Sequence, residues 1–211
     1  LGSGLVFPIN EDDILCEPFD IPDYYPKLCG IDFGWDHPTA CAWIAWDRDS
    51  DIVYMYDGYS MRQETVPVHA SAIKARGKWI PVIYPMDGRQ ADKGSGKSLA
   101  MQYRDEGVNL LREHFTNPPQ NGMKEGSGGI SVEAGVMEML TRFQTKRLKI
   151  FSNQSKILEE IRLYHRKNGK IIPMNDDIIS ALRYAVMSLR KARTRNTEPM
   201  QIQSDSSFNI F

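Results

Sequence analysis

Residues 28–60 read LCGIDFGWDHPTACAWIAWDRDSDIVYMYDGYS, and they decide the fold class. Three apolar runs rich in β-formers follow one another here, at residues 28–34, 39–47 and 51–60. The short polar link Arg48-Asp49-Ser50-Asp51 predicts a hairpin between the second and third runs, so the first strands are expected to be antiparallel. Trp43 and Trp46 stand three apart on a strand and therefore face opposite sides, which argues against a paired stacking platform. Asp32 falls inside the first run, where a carboxylate is costly to bury unless it meets water, a donor or a cation.

Beyond this stretch the pattern changes. Residues 66–77 read as a helix ending at Gly77, and residues 79–86 as a buried strand interrupted by Pro81 and Pro85. Residues 98–107 suit a helix, 108–111 a short strand, and 116–129 a loop by composition. A helix starts at Ser131 with Glu133 and Glu138 early and Lys146 and Arg147 late, as the helix dipole favours. The run LKIF at 148–151 is a strand, 154–164 a helix, and Asn168-Gly169 a hairpin turn. Ile178, Ile179, Leu182, Ala185, Val186 and Leu189 recur at helical spacing in a last helix over 176–191. This order predicts α/β layers around a partly antiparallel sheet. The domain is expected over residues 28–193, after a Pro- and acid-rich lead-in or linker at 1–27 and before a polar tail at 194–211 expected to be disordered.

A net charge of -1 over 211 residues excludes a strongly basic nucleic-acid footprint, so any DNA affinity must be local. Cys16, Cys29 and Cys41 show no metal-like pairing; Cys29 and Cys41 lie in apolar runs and read as reduced core residues, which suits a reducing cytosol. No apolar run approaches the ~18 residues of a membrane span, and no secretory leader is read.

Three acidic positions stand out. Asp32 lies in the first strand, Asp87 ends the fourth, and the pair Asp176-Asp177 opens the last helix. Each has a structural alternative: Asp87 as a turn before Gly88, Asp176 as an N-cap worth on the order of 1 kcal/mol. If strands one and four are parallel neighbours, Asp32 and Asp87 come side by side. Close carboxylates repel, and a hard divalent cation relieves the conflict. Two such ions ~4 Å apart support phosphodiester hydrolysis with no nucleophilic Ser or Cys.

GIDFGWDHPTACAWIAWD, YPMDG and NDDIISALRYAVMSLRKA together resemble the C-terminal nuclease domain of bacteriophage large terminase subunits, those of headful-packaging phages above all. The resemblance implies an α/β fold of the RNase H-like type, shared with Holliday-junction resolvases: a mixed central sheet with helices on both faces. It also implies an endonuclease that cuts concatemeric double-stranded DNA during packaging with Mg²⁺ or Mn²⁺, one or two ions, in the cytoplasm of the infected bacterium. Implied partners are an N-terminal ATPase motor domain of the same full-length protein, the portal and the small terminase subunit. Asp32 matches the family's first-strand aspartate and Asp87 the acid after the fourth strand. Many relatives read Asp-His, two residues, then Asp-Ala-Leu-Arg-Tyr; here Asp177 takes the His place and Ser180 the later Asp place. Asp177 and Ser180 share a helix face, so Asp177 is favoured over Asp176 as the third ligand.

ADKGSGKS at residues 91–98 fits a relaxed phosphate-loop pattern, but a working phosphate loop normally follows the first strand of a parallel sheet. The alternative is DNA contact by Arg89, Lys93 and Lys97 on a glycine-rich loop after Asp87, with a solvated loop as the plain reading. Arg166, Lys167 and Lys170 around the Asn168-Gly169 turn form a second candidate DNA contact. His37 reads as a loop histidine before Pro38 that could also assist proton transfer. An actin- or sugar-kinase-like nucleotide-binding protein and a non-catalytic RNase H-like assembly module are the rival functions.

Overall fold

The structure, a computed structural model, describes residues 4–89 and 96–195. In chain order it comprises β1 (Gly4–Leu5), α1 (Glu11–Ile14), β2 (Leu15–Cys16), β3 (Lys27–Asp32), β4 (Thr39–Asp47), β5 (Ile52–Met61), α2 (Val66–Ala75), β6 (Val82–Ile83), α3 (Leu99–Asp105), α4 (Val132–Gln144), β7 (Leu148–Phe151), α5 (Ser155–Leu163), β8 (His165–Lys167), β9 (Lys170–Ile171) and α6 (Asp177–Met187). Single 3₁₀ turns lie at Met86–Arg89 and Leu189–Lys191. The main sheet has the order β2-β7-β5-β4-β3-β6. Its centre is the antiparallel meander β3-β4-β5 read from the sequence, and β6 and β7 add in parallel to β3 and β5.

Strand alternation sorts the core into two layers. Leu28, Ala40, Ala42, Ile44, Val53 and Met55 face α4, α5 and α6. Cys29, Ile31, Cys41 and Trp43 face α2 and α3. Trp43 and Trp46 thus point to opposite layers, with a register shift between Trp43 and Ile44. All three cysteines are free thiols. α6 is buried on nearly every side and lies across β3 and β4, so an apolar helix of this length serves as a core element. Its approach is close: a Cβ on Gly30 would overlap the Ala181 carbonyl, so β3 needs glycine there.

Several elements differ from the sequence expectation. The lead-in at 4–27 is packed onto the domain, because Val6, Phe7 and Ile14 are buried and β2 forms the sheet edge against β7. Pro81 and Pro85 bracket β6 and limit it to two residues, and residues 108–111 contribute a single bridge from Leu110 to Val82. The last helix ends at Met187, and residues 189–191 tighten into a 3₁₀ turn. Asn168 and Gly169 both have positive φ (52° and 77°), as a two-residue hairpin turn between β8 and β9 requires. That hairpin joins β1 in a separate three-stranded sheet. Among the described residues, no helix is long and apolar enough to cross a membrane. Most of the tail, residues 196–211, lies outside the described residues.

Candidate functional site

The parallel register of β3 with β6 pairs Cys29 with Val82 and Gly30 with Ile83. The two strands therefore run out in the same direction, and the turn Met86–Arg89 carries an exposed Asp87 past the end where Asp32 sits. α6 supplies the third acid: its contact with Gly30 is made at Ala181, and Asp177 stands one turn earlier on the same helix. Tyr184 of α6 donates its hydroxyl to Asp32 Oδ1 at 3.2 Å. In the β3–β4 connection, Thr39 Oγ1 accepts from the Gly34 N–H (3.2 Å) and donates to the Gly34 carbonyl (2.9 Å), closing the loop. From that loop, His37 Nδ1 meets Asp177 Oδ1 at 3.1 Å.

Electrostatics ties the acids together. Burial pushes the Asp32 carboxyl up from 3.8 to about 7; the Tyr184 hydrogen bond works against this, the charges of Asp87 and Asp177 add to it, and His37 opposes them. Asp32 thus feels two acids that are 55 and 145 residues further along the chain. Asp176 is raised by burial and then by Asp177, while the Arg183 charge and the Tyr164 hydroxyl oppose the rise. Of the two adjacent acids, Asp177 is the one that raises Asp32. Arg183 itself is buried, with its guanidinium 4.7 Å from the Tyr184 ring and 5.6 Å from that of Phe115.

Glu160 of α5 was not singled out by the sequence. Its carboxylate accepts from the N–H groups of Ile178 (3.2 Å) and Ile179 (2.9 Å), capping the start of α6 beside Asp177. Burial pushes it up to about 8, those two hydrogen bonds oppose the rise, and Asp177 and Asp176 reinforce it. Nothing in the helical spacing of residues 154–164 marks Glu160, because its role depends on how α5 meets α6.

The donors at this end of the sheet are carboxylate oxygens, the set a hard divalent cation prefers. Among the described residues, no three His, Cys, Asp or Glu side chains stand close enough to hold one ion together. The carboxylates form an open cluster, as like charges favour. Two clefts flank it: one of about 570 Å³ that includes Phe33, Trp35, His37, Asp87 and Tyr103, the other of about 260 Å³ that includes Arg62, Lys156, Glu160 and Asp177.

The basic candidates are scattered. Arg89 is exposed in the same turn as Asp87. Lys93 lies outside the described residues, as do residues 91–95 of the phosphate-loop pattern. Lys97 pairs with Asp105 at 2.6 Å, and Ser98 caps α3 by accepting from the Met101 N–H at 3.2 Å. Arg166 grips Glu133 through two bonds of 2.7 Å, while Lys167 and Lys170 are exposed and pair across the β8–β9 hairpin.

Comparison with known proteins identifies the family and the fold. The model of the terminase RNaseH-like domain family matches residues 29–189. The large terminase subunit of Salmonella phage P22 is 40% identical over 194 residues, covering 92% of this chain and 37% of that protein. The chain therefore spans well under half the length of that relative. The solved P22 large terminase nuclease domain superposes with a TM-score of 0.81 at 40% identity, covering 92% of this chain and 96% of that one. The large terminase nuclease domain of bacteriophage SPP1, solved with bound Mn, shares the fold at a TM-score of 0.55 and 19% identity, covering 81% of this chain and 93% of that one. On sequence and superposition alike, the chain belongs to the terminase RNaseH-like domain family.

Proposed function

We propose that this chain is the nuclease domain of a phage large terminase subunit and that it cuts concatemeric double-stranded DNA as genomes are packaged, using Mg²⁺ or Mn²⁺. The observation that carries the reading is the half-buried Asp32 under the combined charge of Asp87 and Asp177. Asp32, Asp87 and Asp177 would hold one or two ions, with Asp176 in reserve at the helix start. Divalent cations held there would neutralise charge at the scissile phosphate and lower the pKa of water. The chain's own residues do the positioning. Tyr184 fixes one oxygen of Asp32, His37 holds Asp177 Oδ1, and Glu160 anchors the first turn of α6. Arg89 beside Asp87, and Arg62 and Lys156 in the cleft beside Asp177, suit the phosphates flanking the cut. Lys93, Lys97, Arg166, Lys167 and Lys170 are outer candidates for the same backbone. Phosphate contacts carry no base information, so little sequence specificity follows.

The P22 relative is longer than this chain, and the remaining length is proposed to hold the ATPase motor; the portal and small subunit would present DNA to it in the host cytoplasm. Incubation with supercoiled plasmid tests the catalytic reading. Mn²⁺ or Mg²⁺ should convert the plasmid to nicked and linear forms, EDTA should stop the reaction, and Asp32→Asn and Asp177→Asn should each abolish it. Wild-type cutting by both variants would overturn the site assignment.

A further inference from the structure

A groove of about 790 Å³ opens beside β6 and residues 111–116, and its lining includes Arg89, Arg112, Arg190, Lys191 and Arg193. Glu113 and Glu125 are the acids that line it, so cations outnumber carboxylates in a chain whose net charge is only -1. The cations come from three separate segments: the Asp87 turn, the residues after Leu111, and the segment following α6. No helix surface accounts for the cluster, and folding has brought it together. Arg89 is two residues from Asp87 in one turn, so the groove begins at the edge of the carboxylate cluster.

Glu125 occupies the centre of this charge. Arg190 reaches both of its oxygens, with Nη2 at 2.6 Å and Nε at 3.0 Å from Oε1 and Nε at 3.1 Å from Oε2, and Lys191 Nζ stands 3.2 Å from Oε1. These cations hold the carboxyl below the usual carboxylate range. A guanidinium fork with an ammonium beside it is also the donor set that grips a phosphate. Glu125 sits on a loop whose base is closed by the Asn117 N–H to the Gly129 carbonyl (2.8 Å). Gly122 and Gly126 flank it at φ of 82° and 89°, and residues 120–127 are exposed, so the tip can move without disturbing the core.

We propose that this groove cradles the backbone of duplex DNA leading away from the cut, and that Glu125 fills a phosphate's place in it until DNA displaces the carboxylate. The inference rests on DNA being the substrate. Duplex DNA is the partner the position favours, because the groove starts where the scissile strand must pass. Pairing of Glu125 with Arg190 and Lys191 lowers the positive charge on offer, so DNA must first win those cations.

The test is fluorescence anisotropy of a labelled 30-base-pair duplex with the full chain in EDTA, where cation-dependent cutting is suppressed, over a series of salt concentrations. Glu125→Gln should tighten binding several-fold and increase plasmid cutting at low DNA concentration. Glu17→Gln, the same charge change at the opposite edge of the sheet after β2, should leave both unchanged. Arg112→Ala with Arg193→Ala should weaken binding and lower the slope of log Kd against log salt by about one for each phosphate no longer neutralised. Thermal melting of each variant distinguishes weakened binding from unfolding. If Glu125→Gln binds no better than wild type, the proposal is overturned. Equal tightening by Glu17→Gln, or unchanged affinity and slope in the double Arg variant, also overturns it, and plasmid cutting by wild type would leave the nuclease reading intact. A chain that neither binds nor cuts DNA in any form would remove both.

Discussion

Replacing Asp32 with Asn in the absence of divalent cations should make the protein more stable while ending its proposed activity. The reason lies in the proton balance. Asp32 has an ordinary carboxyl value of 3.8 when exposed and about 7 in the fold, chiefly through burial and then through Asp87 and Asp177. The folded state therefore binds this proton more tightly than the unfolded chain. Its stabilising contribution is complete below 3.8, falls as pH rises, and is gone above about 7. At about 1.36 kcal/mol per pH unit, a gap of about three units corresponds to about 4 kcal/mol, an upper bound because the surroundings relax. Asn has nearly the same shape, accepts the Tyr184 hydroxyl and carries no charge at any pH. At pH 8 in EDTA the variant should be more stable by about 2–4 kcal/mol, which for a domain of this size raises Tm by roughly 5–15 °C. At pH 4 the two proteins should melt together. Mg²⁺ or Mn²⁺ should stabilise wild type more than the variant, narrowing the gap. Calorimetry at both pH values in EDTA measures this. An Asn variant no more stable than wild type at pH 8 would refute the idea that Asp32 is held against its charge by its neighbours.

Other substitutions separate the supports of the site. Glu160→Ala strips the acceptors from Ile178 and Ile179 and should cost about 1–2 kcal/mol by chemical denaturation, with a larger proportional fall in plasmid cutting because the first turn of α6 frays around Asp177. Gly30→Ala drives a methyl group into the Ala181 carbonyl, where backbone cannot yield cheaply; a loss of at least about 3 kcal/mol is expected, and an unchanged Tm would contradict the close approach of α6. Tyr184→Phe removes a hydrogen bond that favours the Asp32 anion, so the Asp32 carboxyl, followed by ¹³C NMR in EDTA, should titrate at higher pH than in wild type. A lower or unchanged titration point would assign Tyr184 to packing alone.

The antiparallel meander was legible because strand periodicity and the Arg48–Asp51 link are local signals. So was α6, whose apolar spacing marks a buried helix. The gathering of Asp32, Asp87 and Asp177 depended on the parallel pairing of β3 with β6, a long-range choice that two residues of β6 make and that no local pattern displays. Glu160 and the contact of His37 with Asp177 were illegible for the same reason: each is a meeting of segments more than fifteen residues apart. The lead-in was misread because its buried residues, Val6, Phe7 and Ile14, are too few and too irregularly spaced to show a period, yet β7 left an open edge for β2 to pair with. Family resemblance, by contrast, compares whole motifs, and so it proposed these acids as one site without any account of the pairing.

The placement of the acids on different supports explains how such a cluster persists. A carboxylate on a mobile loop would swing into water and relax its repulsion. Here Asp32 is held at the end of a strand whose neighbours on both sides are paired, and Asp177 at the start of a helix pressed onto that strand at Gly30. Moving either acid far would mean breaking sheet pairing or lifting α6 from the core. Asp87 differs: it is exposed on a short turn at the sheet edge, next to Arg89 and the cationic groove. Two acids are therefore fixed by the core while the third has room to adjust. That asymmetry would suit a site in which Asp32 and Asp177 keep their places and Asp87 adjusts its position when a divalent cation binds.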